Sequence, residues 1–302
     1  MEDFLIEFYF FLEVLISGLL TGTLYSLIAL GFVLIFKASG VFNFSQGAMV
    51  LFAALSFVGV QEKFGVPWPV AFVLAIGIMV VFAYLVEKLV LGKLVNQEPI
   101  ILFMATIGIT FFLDGFGQTI WGSDIKVLDI GIPTGPLFLF DTILIDKLEL
   151  FAGLVAGLMV VGLAIFFNKT RIGRALRAVA DDHQAALSVG ISLKTIWVVV
   201  WSAAGLVGLV AGIMWGSKLG VQFSLSLIAL KALPVLILGG FTSIPGAIVG
   251  GLIIGAGEKL AEIYIGPFIG GAIENWFAYM LAMVFLFFRP QGLFGEKIIE
   301  RV

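Results

Sequence analysis

Four ionisable side chains lie inside long apolar stretches of the sequence: Glu13, Asp114, Lys231 and Glu274. Placing one charge at the centre of a bilayer costs about 2.5–3.5 kcal/mol, so each of these groups is expected to face protein and to find a partner. Lys231 and Glu274 suit either an inward ion pair that fixes two helices together or the lining of a polar pathway. Glu13 and Asp114 lie nearer the ends of their stretches, where interfacial positions are expected.

Two short polar segments each precede an apolar stretch. Asn43, Ser45 and Gln46 form the first, and Thr242 and Ser243 form the second. Hydroxyl and amide residues at such positions are typical helix N-caps. The same positions suit recognition of an anion, because the free N–H groups and the dipole of a helix N-terminus favour a carboxylate. The residues are consistent both with ordinary capping and with the lining of a pathway for a small zwitterion.

Residues needed for familiar catalysis are scarce. The chain has no cysteine and one histidine, His183, which excludes disulfides and thiolate metal sites. The phosphate-binding pattern G-x-x-x-x-G-K-[ST] does not occur, and neither do the H-E-x-x-H and G-x-S-x-G patterns of hydrolases. We therefore expect a protein that is not an enzyme and does not itself bind ATP by that loop.

The composition predicts a membrane protein. Apolar residues make up 61% of the 302 positions and charged residues 12%, and this charged share is about half that of a soluble domain. Each helix that crosses the hydrocarbon core needs about 20 residues, so nine such helices leave room only for loops. Binding of nucleic acid is not indicated.

Nine apolar stretches are separated by charged or turn-forming residues. They run over 8–36, 44–60, 66–91, 100–121, 149–167, 196–217, 225–239, 245–260 and 268–288. Three of them (44–60, 225–239 and 245–260) are short and interrupted by Gly, Ser or Pro, a pattern typical of discontinuous or re-entrant helices. We expect an all-α polytopic membrane protein with eight or nine transmembrane helices, some discontinuous or re-entrant, in a single domain over 1–302.

The cations are unevenly distributed along the chain. Alternation through nine crossings places eleven Lys and Arg residues, including all five Arg, on the side of 168–195, and five Lys on the other side. Cytoplasmic segments carry the excess of Lys and Arg. We therefore expect 168–195 and the C-terminus to be cytoplasmic, the N-terminus to be external, and 122–148 to form an external loop.

One basic polar segment, 169–194, interrupts the second half of the chain. Its distinctive residues are Lys169, Arg174, Arg177, Asp181, Asp182 and Gly190. The three cations suit anionic lipid head groups. The two aspartates suit the start of a short helix over 180–189, and the glycine suits its end. The segment predicts a cytoplasmic helix that docks on a partner, with a basic linker as the alternative.

Five ordered motifs resemble those of the permeases of branched-chain amino-acid ABC importers. The motifs are GTLYSLIALG (22–31), NFSQG (43–47), GRALRAVADDHQAALSVG (173–190), GGFTSIPGA (239–247) and RPQGLFG (289–295). The match spans nearly the whole chain. The chain resembles the shorter of the two permeases that such importers carry. Permeases of urea and short-amide importers share most of these motifs.

The resemblance implies one subunit of a larger assembly in a bacterial inner membrane. The implied partners are a second homologous permease in a heterodimer, two cytoplasmic ATPases, a periplasmic substrate-binding protein and membrane lipid. ATP and Mg²⁺ are implied on the ATPases, with no cofactor bound directly by this chain. The segment 168–195 is implied to be the coupling loop, with its contacts made by Arg174, Arg177, Asp181, Asp182, His183 and Gly190.

The implied function is translocation of Leu, Ile and Val by alternating access between the two permeases. The substrate pathway is expected along Asn43, Ser45, Gln46, Thr242 and Ser243, with support from Lys231 and Glu274. The alternatives are a permease for urea, short amides or other amino acids, a stand-alone ion-coupled transporter in which the intramembrane charges relay protons, and a gated pore for neutral solutes.

Overall fold

The structure is a computed structural model that describes residues 2–95, 97–139 and 142–295, without the side chains of Glu2, Asp3 and His183. Helices dominate it. Their bounds are α1 (Glu2–Ser39), α2 (Gln46–Phe64), α3 (Trp68–Leu89), α4 (Pro99–Trp121), α5 (Lys147–Lys169), α6 (Arg171–Asp181), α7 (His183–Ser188), α8 (Leu193–Leu219), α9 (Ser224–Lys231), α10 (Leu233–Gly239), α11 (Ile244–Tyr264), α12 (Gly266–Ile269) and α13 (Phe277–Phe288).

Seven of the described helices, α1 to α5 with α8 and α11, are long and apolar enough to cross a membrane. The segment Ser224–Gly239 and the helix Phe277–Phe288 are apolar but shorter. Each of the nine apolar stretches found in the sequence is mainly helical, so the all-α expectation is confirmed. The expectation of an interrupted helix is wrong for 44–60 and 245–260, because α2 and α11 are each continuous. It holds for 225–239, where α9 and α10 are separate helices.

The segment 122–148 contains structure that the sequence pattern did not predict. Strands β1 (Pro136–Leu139) and β2 (Ile143–Asp146) pair antiparallel, with Leu137 opposite Ile145. Ile143 and Ile145 are buried while the alternate residues Leu144 and Asp146 are exposed. The backbone N–H of Leu144 donates to the Glu13 carboxylate at 3.1 Å, which gives this intramembrane acid a partner.

The chain divides into two compact units. The first contains 1–29, 131–160 and 231–302. In this unit the first part of α1 crosses α11 at glycines: a Cβ atom added to Gly22 would lie 2.5 Å from the carbonyl oxygen of Gly251. The Ser26 hydroxyl donates to the Ile248 carbonyl at 3.2 Å beside this crossing. Such close backbone approach is the packing mode of small residues in membrane helices.

The second unit contains 30–130 and 161–230, with α2 at its centre. Every residue of α2 from Gln46 to Val60 is buried, and the helix packs against α3, α4 and α8. Gly212 of α8 makes this packing close, because an added Cβ would lie 2.6 Å from the Val50 carbonyl oxygen. The outward faces of α3 and α4 expose large apolar side chains such as Val73 and Phe111, as expected of helices in contact with lipid.

Candidate functional site

The polar segment before α2 is fully buried. Asn43, Ser45 and Gln46 have no solvent-exposed surface. The Ser45 hydroxyl donates to Asn43 Oδ1 at 2.6 Å, and the Ser45 backbone N–H donates to the same oxygen at 3.1 Å. Ser45 occupies the N-cap position of α2, yet its side chain accepts no hydrogen bond from the helix. Asn43 therefore holds the turn in shape, and ordinary side-chain capping does not account for Ser45.

The Gln46 amide lies where three helices meet inside the second unit. Its Nε2 group donates to the Ala204 carbonyl of α8 at 3.3 Å. A Cβ atom on Gly31 of α1 would lie 2.8 Å from Gln46 Cδ, so the side chain fills the space that the glycine leaves. Gln46 Oε1 is buried and accepts no hydrogen bond from the described part of the chain. An unpaired buried acceptor costs about 1–3 kcal/mol.

The second polar segment precedes α11 in the first unit. Ser243 is a genuine cap, since its hydroxyl accepts from the Gly246 backbone N–H at 3.0 Å. Thr242 and Ser243 are both half-buried. On either side of them, Gly239 and Gly246 approach so closely that a side chain on either would collide with the backbone of the other. Capping explains Ser243, whereas it does not explain Ser45.

Of the two alternatives for Lys231 and Glu274, the ion pair between them is not formed. Lys231 Nζ lies 2.8 Å from Oε1 of Glu258, a residue of α11 that was not selected from the sequence. Tyr25 also donates to Glu258 Oε1, at 3.3 Å, which joins α1 to the pair. Glu258 is 3% exposed and Lys231 28% exposed at their side chains. The sequence did contain an indication of this partner, because Glu258 is the only acid in the apolar stretch 245–260.

Glu274 belongs to a different cluster. Its carboxylate lies 3.7 Å from Lys259 Nζ, and both side chains are about one-third exposed. The Glu262 carboxylate accepts from the backbone N–H groups of Ala272 at 3.0 Å and Glu274 at 2.9 Å. This fixes a turn in which Ala272 adopts a positive φ of 58°. Glu274 is therefore held by the turn between α12 and α13.

The expected pathway residues fall in two groups. Asn43, Ser45 and Gln46 belong to the second compact unit, and Lys231, Thr242, Ser243 and Glu274 belong to the first. Within the first unit, Lys231 and Glu274 have different partners. Asp114, which the sequence also singled out, is half-buried on α4, and its Oδ1 has no hydrogen-bond partner in the described residues.

The short helix expected over 180–189 is present as α7, and a second helix that was not expected, α6, precedes it. The extended backbone of Asp182 separates α6 from α7. Asp182 Oδ1 caps α7 by accepting from the backbone N–H groups of Gln184 at 2.8 Å and Ala185 at 3.0 Å. Gly190 follows α7 with φ of +84°. Leu187 and Val189 are 46% and 74% exposed, so α7 presents an apolar surface. The side chain of His183 lies outside the described part.

Arg174 and Arg177 stabilise the end of α5. The Arg177 guanidinium donates to the Phe167 carbonyl at 3.0 Å, and the Arg174 guanidinium donates to the Lys169 carbonyl at 3.4 Å. These carbonyls are among the last of α5, where helix acceptors lack internal partners and cations are favoured. Gly173 packs directly on the Phe167 carbonyl, where no side chain fits. The arginines therefore link α6 to the end of α5.

A contact that was not predicted from the sequence joins two of its motifs. The backbone N–H groups of Leu293 and Phe294 donate to the carbonyls of Leu238 at 2.7 Å and Gly239 at 3.2 Å. The segment 289–295, hereafter the C-terminal clasp, thus lies against the turn between α10 and α11. A Cβ on Gly292, whose φ is +79°, would lie 2.7 Å from the Gly240 backbone nitrogen. The many glycines in both motifs were the available signal.

The helices and the two polar segments define a multi-pass membrane protein with polar side chains inside its packed helices. The family model for the permease component of the branched-chain amino acid transport system matches residues 14–289. The chain belongs to this family.

Curated relatives cover nearly the whole chain. The permease protein BraD of a high-affinity branched-chain amino acid transport system from Pseudomonas aeruginosa is 28% identical, over 98% of this chain and 99% of its own. The corresponding LivH of Escherichia coli (strain K12) is 27% identical over the same shares. A probable LivH from Methanocaldococcus jannaschii is 26% identical over 93% of this chain and 92% of its own.

Proposed function

We propose that this chain is the membrane-spanning permease subunit of an ATP-driven importer that translocates Leu, Ile and Val by alternating access with a second permease. The family match over 14–289 carries this proposal. The capped helix α7, set between the apolar helices α5 and α8 and with an exposed apolar surface, supports it. In this function the chain is a single transmembrane permease domain without catalytic residues or a cofactor of its own.

The proposed partners are a second homologous permease, two cytoplasmic ATPases that hold ATP and Mg²⁺, and a periplasmic substrate-binding protein. The proposed coupling surface for an ATPase is α7 together with Arg174, Arg177, Asp181, Asp182, His183 and Gly190. Asp182 starts the helix and the two arginines tie α6 to the end of α5. A displacement of α7 by a bound ATPase would therefore be transmitted to α5 through α6 and the hydrogen bonds of its two arginines.

The proposed substrate pathway includes Asn43, Ser45, Gln46, Thr242 and Ser243, with Lys231 and Glu274 in support. The best-supported member is Gln46, because its Oε1 is buried without a donor in the described residues. The ammonium group of an amino acid can supply that donor. Lys231 acts through its pair with Glu258, and Glu274 acts through the turn that it shares with Glu262.

The proposed location is a bacterial inner membrane, with the N-terminus and 122–148 external and 168–195 and the C-terminus cytoplasmic. The excess of cations near 168–195 supports this orientation. Reporter fusions at Lys169 and at Asp129 test it. A reporter that is active only on the external side should respond at Asp129 and not at Lys169, and the reverse result contradicts the orientation.

Uptake by the assembled importer tests the function. Replacing Ser45 and Gln46 together by Leu should abolish uptake of labelled leucine while the chain still assembles with its partners. The matched control is Ser56→Ala, which removes a buried hydroxyl from the same helix α2, where it accepts from Trp121 at 3.2 Å. Normal uptake by the Ser45→Leu/Gln46→Leu variant refutes the pathway.

Reconstitution separates the importer from a stand-alone transporter. Purified chain alone in proteoliposomes should not accumulate leucine under any ion gradient, whereas addition of the partners and ATP should restore accumulation. Gradient-driven uptake by the chain alone would establish a secondary transporter in place of the proposed function.

A further inference from the structure

A groove of about 380 Å³ lies between α3 and α8 in the second unit. Tyr84, Glu87 and Lys88 come from α3, and Lys194, Thr195 and Val198 come from α8. Lys88 is in the last turn of α3 and Lys194 in the first turn of α8. Lysines at the ends of spanning helices lie at the head-group level of a membrane. The groove therefore opens where lipid head groups are found.

Glu87 is a buried acid without a partner in the described residues. Its exposed fraction is 4%, and its Oε1 accepts no hydrogen bond from that part of the chain. The neighbouring Lys88 does not neutralise it, because its ammonium group lies 5.6 Å above the Tyr84 ring. A buried carboxylate without a compensating charge or donor is costly. A cationic N–H donor that enters the groove would compensate this carboxylate.

The two lysines of the groove, Lys88 and Lys194, are both exposed and are free to bind an anion. Neither Lys88 nor Lys194 forms an ion pair with a carboxylate of the described residues. Two cations at an interface attract a phosphate group, and the Val198 side of the groove is apolar and suits an acyl chain. The site thus offers two cations, one acid and an apolar wall within one groove.

We propose that this groove binds the phosphoethanolamine head group of a membrane phospholipid. The phosphate contacts Lys88 and Lys194, and the primary ammonium donates to Glu87. A choline head group has no N–H to donate, and a glycerol head group has no positive charge, so neither satisfies the buried acid. The lipid is bound on the side of the membrane that carries 168–195, because Lys194 lies at the end of that segment.

Native mass spectrometry of the full delipidated chain, titrated with defined lipids, tests the proposal. The ethanolamine lipid POPE should bind about tenfold more tightly than the choline lipid POPC, the ratio that corresponds to about 1.4 kcal/mol. Glu87→Gln should bring that ratio close to one while binding of POPC is unchanged. Replacing Lys88 and Lys194 together by Met should weaken POPE and the glycerol lipid POPG alike, whereas Lys93→Met, a cation outside the groove, should change neither.

Two further measurements keep the proposal falsifiable. If Glu87→Gln proves unstable, Val198→Trp provides a second test. The tryptophan fills the groove without changing its charged residues and should therefore displace POPE. Soluble phosphoethanolamine should compete weakly, because it lacks the acyl chain. Equal binding of POPE and POPC to the unaltered chain, preference for POPG, or full competition by soluble phosphoethanolamine would each overturn the lipid assignment.

Discussion

The Lys231 ammonium is bound to the Glu258 carboxylate at 2.8 Å, and Tyr25 donates to the same carboxylate oxygen at 3.3 Å. Three separate parts of the first unit, α1, the end of α9 and α11, thus meet at one charged group. Glu258 Oε2 accepts no hydrogen bond in the described residues. The charge of the Glu258 carboxylate is therefore compensated through its other oxygen, by the Lys231 ammonium.

Lys231→Met should destabilise the protein markedly, because it leaves the buried Glu258 without a countercharge. Loss of one partner from a buried pair costs about 3–5 kcal/mol. The partial exposure of Lys231 places the expected loss at the lower end, measured as the denaturation midpoint in detergent. Lys259→Met is the matched control, since its 3.7 Å pair with Glu274 is more exposed and should contribute less than about 1 kcal/mol. Equal losses for the two variants would contradict the assignment.

Gly22→Ala should loosen the crossing of α1 and α11, because the added methyl group meets the Gly251 carbonyl oxygen at 2.5 Å. Overpacking of this kind costs about 1–3 kcal/mol. Gly77→Ala in α3 provides the comparison, because nothing lies within 4 Å of its added Cβ and alanine favours helix over glycine by about 1 kcal/mol. Thermal denaturation of both variants should show opposite signs, and a neutral Gly22→Ala would exclude a close crossing.

Asp182→Ala should weaken α7, because two backbone N–H groups lose their acceptor. Such a cap contributes about 1 kcal/mol, and the expected result is reduced co-purification of the ATPase with normal insertion of the chain. Asp182→Asn keeps an oxygen acceptor and should retain most of the co-purification. Asp181→Ala removes an adjacent acid that is exposed and makes no cap. If Asp181→Ala has the larger effect, charge and not helix capping controls docking.

Gly292→Ala should release the C-terminal clasp, since its Cβ would lie 2.7 Å from the Gly240 nitrogen. Limited proteolysis should then cut near residue 289 at an increased rate. Gly40→Ala tests the cost of the backbone conformation alone, because Gly40 has φ of +70° with nothing within 4 Å of an added Cβ. If the C-terminal segment is cut at the same rate in Gly292→Ala and in Gly40→Ala, the result would argue against the C-terminal clasp.

Local features were predictable from the sequence. Apolar stretches of sufficient length located the helices, because a chain in lipid must satisfy its backbone hydrogen bonds within each segment. The position of Asp182 before α7 and of Gly190 after it followed from capping chemistry, which acts over a few residues. The pairing of β1 with β2 was not predicted, and neither was the hydrogen bond from the Leu144 N–H of β2 to Glu13, a residue distant in sequence.

Partners distant in sequence were predicted poorly. Of the two alternatives for Lys231 and Glu274, the ion pair does not form, because the partner of Lys231 is Glu258. A sequence orders the acids along the chain without giving the rotation of each helix about its axis. The contact of the C-terminal clasp with Leu238 and Gly239 is made by backbone groups, and such contacts leave no complementary pattern of side chains. The glycines of these motifs do not indicate which surfaces meet.

The crossing of α1 and α11 restricts how the first unit can move. No side chains separate the two backbones where Gly22 and Gly251 meet. The Ser26 hydroxyl of α1 donates a hydrogen bond to the Ile248 carbonyl of α11 beside this contact. Rotating α11 about its axis by about 100°, the angle between successive helical residues, would bring Leu252 to the place where Gly251 now passes. The first part of α1 and α11 therefore move together as one rigid body, and any bending in this unit has to occur away from their crossing.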